Sequence, residues 1–374
     1  MLSVKVIPYV NLSAQWNEEK EELLPIVEEV LAMGGYVGGE KVEQFESEVA
    51  QFCNSNYAVA LNSGTDALIC ALRALKIGPG SEVITPPNSF IASTSAITHV
   101  GAKPVFVDVL PDQNMNPDLV ESAITPSTRA IMPVHLTGRM AEMVEICDLA
   151  DHFGLYVIED AAQAIGSLYN DCPSGSIGNV GCFSTHPLKN LNACGDGGFI
   201  TTNDHKIAEK IRLLRNHGLA DRNTVTDFGV VSRMDVLQAE ILRYRLGRLP
   251  SIIKRRRENA SVYRATLDSE YIYVPMERKN RFDSYHTFVI QTNERDALQK
   301  VLKSKGVETA IHYPVPIHLQ PACKYLGHRK GDFPVAETQA DRILTIPIHQ
   351  YLQVSDLSYV SKNINKFFKR KASE

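Results

Sequence analysis

Three short segments set chemically useful side chains where a folded backbone could put them to work. The first is Phe183-Ser184-Thr185-His186-Pro187-Leu188-Lys189-Asn190, followed by Gly195-Asp196-Gly197-Gly198. An apolar strand delivers Ser184, a Pro-containing turn follows, and one lysine stands ahead of a Gly-rich loop. A partly desolvated amine has a depressed pKa and serves as nucleophile and proton carrier. The second segment is Val157-Ile158-Glu159-Asp160-Ala161-Ala162-Gln163. Asp160 ends an apolar strand, at the carboxyl edge where α/β sheets bind ligands. A buried, ionised carboxylate there needs a cationic partner. The third, Asn62-Ser63-Gly64-Thr65-Asp66, turns from a strand into a helix and offers free N–H groups to a phosphate. Each segment also has a plain structural reading: a solvated lysine, a capping aspartate, a Ser/Thr N-cap.

The elements around these segments decide how they combine. Short β-branched runs at Tyr57–Leu61, Glu82–Thr85, Pro104–Val107, Ala130–Val134, Leu155–Glu159, Gly181–Ser184 and Phe199–Thr202 read as strands. Helical patterns at Ala67–Leu75, Phe90–His99, Pro117–Ala123 and Met140–Phe153 separate them. Such alternation specifies an α/β fold whose mostly parallel sheet is covered on both faces. A polar helix, Glu18–Met33, precedes it and stops at Gly34-Gly35. Helices at Met234–Arg245 and Ile252–Asp268 follow. Beyond about residue 272 come a strand, Tyr285–Gln291, and helices at Glu294–Ser304 and Ser355–Phe368. A boundary near Leu249-Pro250 divides a large domain, residues 1–249, from a smaller C-terminal α+β domain, residues 250–374.

Composition removes several classes. A formal net charge of −4 and dispersed Lys and Arg argue against a nucleic-acid partner. Two basic runs, Lys254–Arg257 and Lys369–Lys371, read as a solvated helix face and a terminus. No run of about 18 apolar residues occurs, so no membrane span is expected, and Met1–Val6 shows no leader. The seven cysteines (53, 70, 147, 172, 182, 194, 323) form no C-x-x-C pair, which predicts no metal site, no disulfide framework and a cytoplasmic setting.

A phosphate turn, a strand-end Asp and a strand-end Ser with Lys occur in the order that pyridoxal phosphate bound on a parallel sheet requires. The protonated pyridine nitrogen would be the cation that Asp160 needs. With these segments go Ile7-Pro8-Tyr9, Gly38-Gly39, Leu214-Arg215-Asn216-His217-Gly218, Arg233-Met234-Asp235, Ile311-His312-Tyr313-Pro314 and Gly331-Asp332-Phe333-Pro334. Together they resemble the DegT/DnrJ/EryC1/StrS family of pyridoxal-phosphate-dependent sugar aminotransferases across nearly the whole chain. The resemblance implies the aspartate-aminotransferase fold (fold type I), with a large domain built on a seven-stranded, mostly parallel sheet. It implies that Lys189 carries the cofactor as an imine and Asp160 faces the ring nitrogen. Gln163 would meet the phenolic oxygen, Phe90 would stack on the ring, and Gly64, Thr65 and Ser184 would hold the phosphate.

The implied reaction is transamination of a nucleotide-linked keto sugar with glutamate as donor, in amino-sugar and polysaccharide (O-antigen) biosynthesis, by a homodimer with sites at the subunit interface. The segment from His312 to Gln320 resembles members that act at carbon 3. His135, His186, Tyr313 and His318 are candidate substrate contacts, although a buried histidine bonded within the core would look the same in sequence. Action at a 4-keto sugar is the alternative. A sugar 3-dehydratase would place histidine at Lys189, and a non-catalytic regulator would be expected to lose Lys189 or Asp160. Two departures stand out. Val231 occupies the position where the family usually has a cross-subunit Asn, so Ser232 or water replaces it or the phosphate is held by fewer donors, and Cys194 stands where many relatives carry an aromatic or histidine.

Overall fold

The strands that read as unbroken Val/Ile runs assemble into one sheet. The structure, a computed structural model, describes residues 6–371; the run Met1–Lys5 of the expected leaderless N-terminus lies outside the described residues. The strands are β1 (Tyr57–Leu61), β2 (Glu82–Thr85), β3 (Lys103–Phe106), β4 (Thr128–Ile131), β5 (Tyr156–Asp160), β6 (Val180–Ser184) and β7 (Gly198–Thr202). Their spatial order is β1-β7-β6-β5-β4-β2-β3. Neighbours from β6 through β3 run parallel, while β7 runs antiparallel to both β6 and β1. This is the expected seven-stranded, mostly parallel sheet with helices on both faces.

Side-chain alternation along each strand feeds two cores. In β1, Val59 and Leu61 join Leu68, Leu72, Ile158, Ile200 and Ile211 on one face. Ala58 and Ala60 join Phe45, Val49, Phe183, Phe199 and Leu242 on the other. Phe183 and Phe199 stack across β6 and β7 with ring centroids 4.6 Å apart, and Phe45 meets Phe199 edge-on. Filling both faces this way is worth ~1.5–3 kcal/mol for each large apolar side chain.

The helices that matter to the site are α1 (Leu12–Met33), α2 (Glu40–Phe52), α3 (Gly64–Ala74), α4 (Ala92–His99), α5 (Met143–Phe153), α6 (His205–Leu214) and α7 (Val236–Thr266). Asn11 caps α1, accepting from the Ala14 N–H at 2.9 Å, and α1 ends on the left-handed Gly34. The expected helix at Pro117–Ala123 is two short 3-10 turns, Pro117–Leu119 and Glu121–Ala123.

The expected domain boundary lies near Leu249-Pro250. It falls within α7, a continuous 31-residue helix with Pro250 in its interior. Leu242, Leu249 and Ile253 pack in the core beneath the sheet, whereas Ala260 and Tyr263 pack in the C-terminal core. That second core lies around the antiparallel pair β8 (Phe288–Gln291) and β9 (Ile343–Ile346), with helices α8 (Arg295–Ser304), α9 (Pro334–Arg342) and α10 (Val354–Lys371) near it. Ile7 is buried there and bridges to Val307. Among the described residues no helix is long and apolar enough to cross a membrane.

Candidate active site

β5 ends with two carboxylates in succession, and strand geometry sends them to opposite faces. Glu159 turns into the protein. Its Oε2 accepts from Gly175 N (2.8 Å) and meets His135 Nε2 (2.9 Å); its Oε1 accepts from Ile177 N (2.9 Å) and Gly178 N (2.7 Å). Burial raises its pKa, but the His135 bond and the backbone donors outweigh that and leave it lowered. Asp160 takes the other face, 5% exposed. Ser93 Oγ, on α4, donates to its Oδ2 at 2.6 Å, and Ala162 N donates to Oδ1 at 3.2 Å. Burial holds the Asp160 pKa above the ordinary carboxylate value despite these donors and the Lys189 charge. One carboxylate is complete within the protein. The other still lacks a full cationic partner.

Lys189 supplies part of that charge. It follows the turn after β6, where Lys189 N donates to His186 O at 2.8 Å. Burial lowers its ammonium pKa to about 8, and the Asp160 carboxylate pulls the other way. Two histidines that the motif reading did not select share this electrostatic neighbourhood. His312, with Nδ1 3.0 Å from Thr345 Oγ1, is lowered to about 4 by burial and by Lys189. His286 is lowered well below its usual value, again by burial first and Lys189 second. Both imidazoles are neutral at pH 7. His312 could have been found, since it adjoins Tyr313 in a quoted motif; His286 stands in a strand-like run with no signal of its own.

The phosphate-type turn is built by close packing. Ser63 caps α3, its Oγ accepting from Asp66 N at 3.1 Å, which leaves Gly64 and Thr65 in the first turn. A Cβ on Gly64 would lie 2.6 Å from Ser184 Cβ, and one on Gly198 would lie 2.4 Å from the Ser63 carbonyl carbon. Only glycine permits this approach of helix start, Ser184 and the Gly-rich loop. Phe90 is 55% exposed, with its ring centroid 5.7 Å from that of Tyr313. Gln163 Oε1 accepts from Thr137 N at 2.8 Å, and its side chain also bonds Tyr313, whose pKa rises to about 12 through burial and Asp160.

These features fit pyridoxal phosphate. There is a buried carboxylate short of a cation, an amine kept partly unprotonated, an exposed phenyl face for a flat ring, and a helix start with a hydroxyl for a dianion. The candidate substrate histidines fare differently. His135 is fully buried, its Nδ1 accepting from Ala141 N (3.2 Å), so that Nε2 carries the proton toward Glu159. His318 is covered as well, bonded through Nε2 to Glu337 at 3.0 Å and packed on Phe333. Each finds a carboxylate inside the fold. His186 is exposed and Tyr313 is half-buried beside Phe90. Ser232 is buried and its hydroxyl donates to Asn62 Oδ1 at 3.0 Å, so it is already engaged within its own chain. Val231 beside it is 50% exposed. Cys194 is exposed, its backbone N–H bonded to Gln238 at 2.8 Å.

Comparison with known proteins agrees with this geometry. A relative from Streptomyces venezuelae, a dTDP-3-amino-3,4,6-trideoxy-alpha-D-glucose transaminase, is 41% identical over 93% of this chain and 92% of its own. A UDP-N-acetyl-3-dehydro-alpha-D-glucosamine 3-aminotransferase from Acidithiobacillus ferrooxidans is 41% identical over 96% and 97%. A pleiotropic regulatory protein from Geobacillus stearothermophilus is 38% identical over 97% and 99%. The S. venezuelae DesV structure in complex with a ketimine intermediate superposes with a TM-score of 0.95 at 40% identity, covering 97% of this chain and 98% of that one. The Bacillus subtilis NtdA structure with bound cofactor PMP gives 0.91 at 31% identity, over 98% and 86%. The model of the DegT/DnrJ/EryC1/StrS aminotransferase family matches residues 17–365, and this chain belongs to that family.

Proposed function

We propose that this protein transfers an amino group from glutamate to the carbon-3 ketone of a nucleotide-linked sugar, with pyridoxal phosphate held on Lys189. The observation that carries the proposal is the pairing of a lysine held near pKa 8 with a buried Asp160 that needs a cation, at one sheet edge. The carbon-3 preference rests on the similarity to relatives named for 3-amino and 3-dehydro sugars.

When bound, the cofactor carries the amino group and serves as electron sink for the carbon that gains or loses a proton. The protein's own groups do the rest. Asp160 would favour a positive charge at the ring nitrogen, with its carboxylate oriented by Ser93. Gly64 and Thr65 N–H groups with Ser184 Oγ would hold the phosphate, Phe90 would stack on the ring, and Gln163 would meet the phenolic oxygen. The Lys189 Nζ, with its pKa lowered to about 8, would take up and give back the proton that the reacting substrate carbon loses or gains. The neutral rings of His286 and His312 add no competing positive charge beside Lys189.

The active unit proposed is a dimer. Val230 and Val231 are exposed next to Asn62 at the start of α3, and Phe228, Tyr36 and Val37 are exposed nearby in sequence or through the Val37–Asp235 bridge. Apolar groups of that size beside a ligand site suit a second subunit.

The test is direct. The purified protein with pyridoxal phosphate is expected to show a cofactor band near the visible edge that glutamate bleaches. A panel of nucleotide 3-keto and 4-keto sugars, followed by mass spectrometry, is expected to yield amino sugars from the 3-keto set. A band insensitive to glutamate removes the donor assignment, and product from 4-keto sugars alone removes the carbon-3 assignment.

A further inference from the structure

The turn that carries Lys189 is held by side chains far from it in sequence. Asn192 Nδ2 donates to Pro187 O at 2.9 Å, closing the arc from 187 to 192 with Lys189 inside it. The same amide pairs reciprocally with Gln15 of α1. Asn192 Nδ2 donates to Gln15 Oε1 at 3.0 Å, and Gln15 Nε2 donates to Asn192 Oδ1 at 3.0 Å. Every donor and acceptor of the Asn192 side chain thus has a partner. Gln15 is oriented in turn by Glu19, one helical turn on, with Nε2 3.1 and 3.2 Å from the two carboxylate oxygens. Glu19 is paired with Arg245 of α7 through Nε (3.0 Å) and Nη2 (2.8 Å), and Arg245 Nη1 donates to the Asn192 carbonyl at 2.6 Å. Gln15, Glu19, Asn192 and Arg245 are all buried. On the other flank Asn190 Nδ2 donates to Ser284 O at 3.0 Å.

A connected, satisfied polar network in a low-dielectric interior fixes geometry more than it adds stability. Here every path through it ends on the backbone of one short arc. From this we infer that Gln15 and Asn192 are positioning residues for Lys189, and that α1, backed by the Glu19–Arg245 pair, is the element that holds the reactive amine in place. The inference deepens the proposed function and rests on Lys189 as its reactive group. Misplacing a proton-transferring group by about 1 Å costs on the order of 100-fold in rate, so the network matters through alignment.

The test compares Asn192→Ala and Gln15→Met with the unmodified protein. Gln15→Met keeps the side-chain volume and carries the test by itself if Asn192→Ala fails to fold. In the protein without cofactor, hydrogen–deuterium exchange of peptides spanning 186–193 is expected to rise at least tenfold in both variants, with the strand β5 unchanged. In the holoenzyme, kcat is expected to fall about 10- to 100-fold with KM within threefold, and the pH midpoint of the cofactor band is expected to move. The Gln15→Met/Asn192→Ala double variant is expected to lose little more than Asn192→Ala alone, since both act through one contact. Variants that melt earlier but keep wild-type exchange at 186–193, band midpoint and kcat would overturn the inference and leave these residues purely structural. If the unmodified protein shows no cofactor band, the proposed function fails instead, and the exchange measurement still decides the positioning role.

Discussion

Consecutive residues can share a chemistry and differ entirely in use. Glu159 and Asp160 are both buried carboxylates, but four donors complete the first while the second keeps a raised pKa beside Lys189. A charge that the fold leaves short of partners is the one available to a ligand. Lys189→Ala therefore removes the amine that the rest of the site is arranged around. The expected result is loss of the cofactor band and a rate reduction of ~10^3-fold or more, with the melting temperature of the protein without cofactor little changed. Electrostatics gives a second prediction. Burial lowers the Lys189 pKa and Asp160 raises it. In the protein without cofactor, reaction of Lys189 with an amine-directed reagent, read by peptide mass spectrometry, should have its midpoint near pH 8. Asp160→Asn takes away the negative charge that favours the ammonium, so the midpoint should move below that of the unmodified protein. An upward movement would mean that Asp160 does not act on Lys189 through its charge.

At the scale of elements, the strands were legible because a sheet covered on both faces needs nearly every residue apolar. Val157-Ile158 and Val83-Ile84 could scarcely do anything else. The site residues on strand ends were legible for the same reason: Asp160 and Ser184 are polar residues at the close of apolar runs. What the sequence hid were partners brought from elsewhere, such as Ser93 on Asp160 and Glu159 and Glu337 on the two buried histidines, since a long-range contact leaves no local pattern. The α7 helix is a different case. Pro250 suggested a break, yet Leu242, Leu246, Leu249, Ile253, Arg256, Ala260 and Tyr263, all buried, recur at spacings of three and four straight through it. An interior proline costs ~3 kcal/mol, and the stripe it interrupts buries enough apolar surface to exceed that. Pro250 itself is exposed and stands off that buried stripe. Pro250→Ala restores the missing N–H without disturbing either core. We expect a stabilisation of about 1–3 kcal/mol in denaturant unfolding, with activity unchanged; a loss of stability would indicate that the chain bends at 250 and that the helix is not continuous.

At the scale of the molecule, the exposed apolar groups mark the surface on which the proposed second copy of the chain would sit. Phe228 is 88% exposed, an unusual state for a phenylalanine in a segment whose backbone is otherwise engaged: its carbonyl accepts from Arg73 of α3, and Val230 N donates to Leu214 O at 2.8 Å. A loop held this firmly presents its apolar side chains rather than exposing them through disorder. Two residues on, Ser232 and the Val231 carbonyl bond Asn62, next to the cap of the phosphate-type turn. A partner seated on Phe228 and Val231 would thus lie over the mouth of the site, and valine would serve it by contact where a polar residue would serve it by a hydrogen bond. The protein is expected to sediment as two copies, and Phe228→Asp/Val231→Asp as one. Because Lys189 and Asp160 lie within one subunit, the monomeric variant should still bind cofactor and give its band, with weaker retention and at least tenfold lower turnover. A variant that sediments as one copy with full turnover would show that each subunit completes its site alone. A variant that still sediments as two would place the interface elsewhere on the molecule.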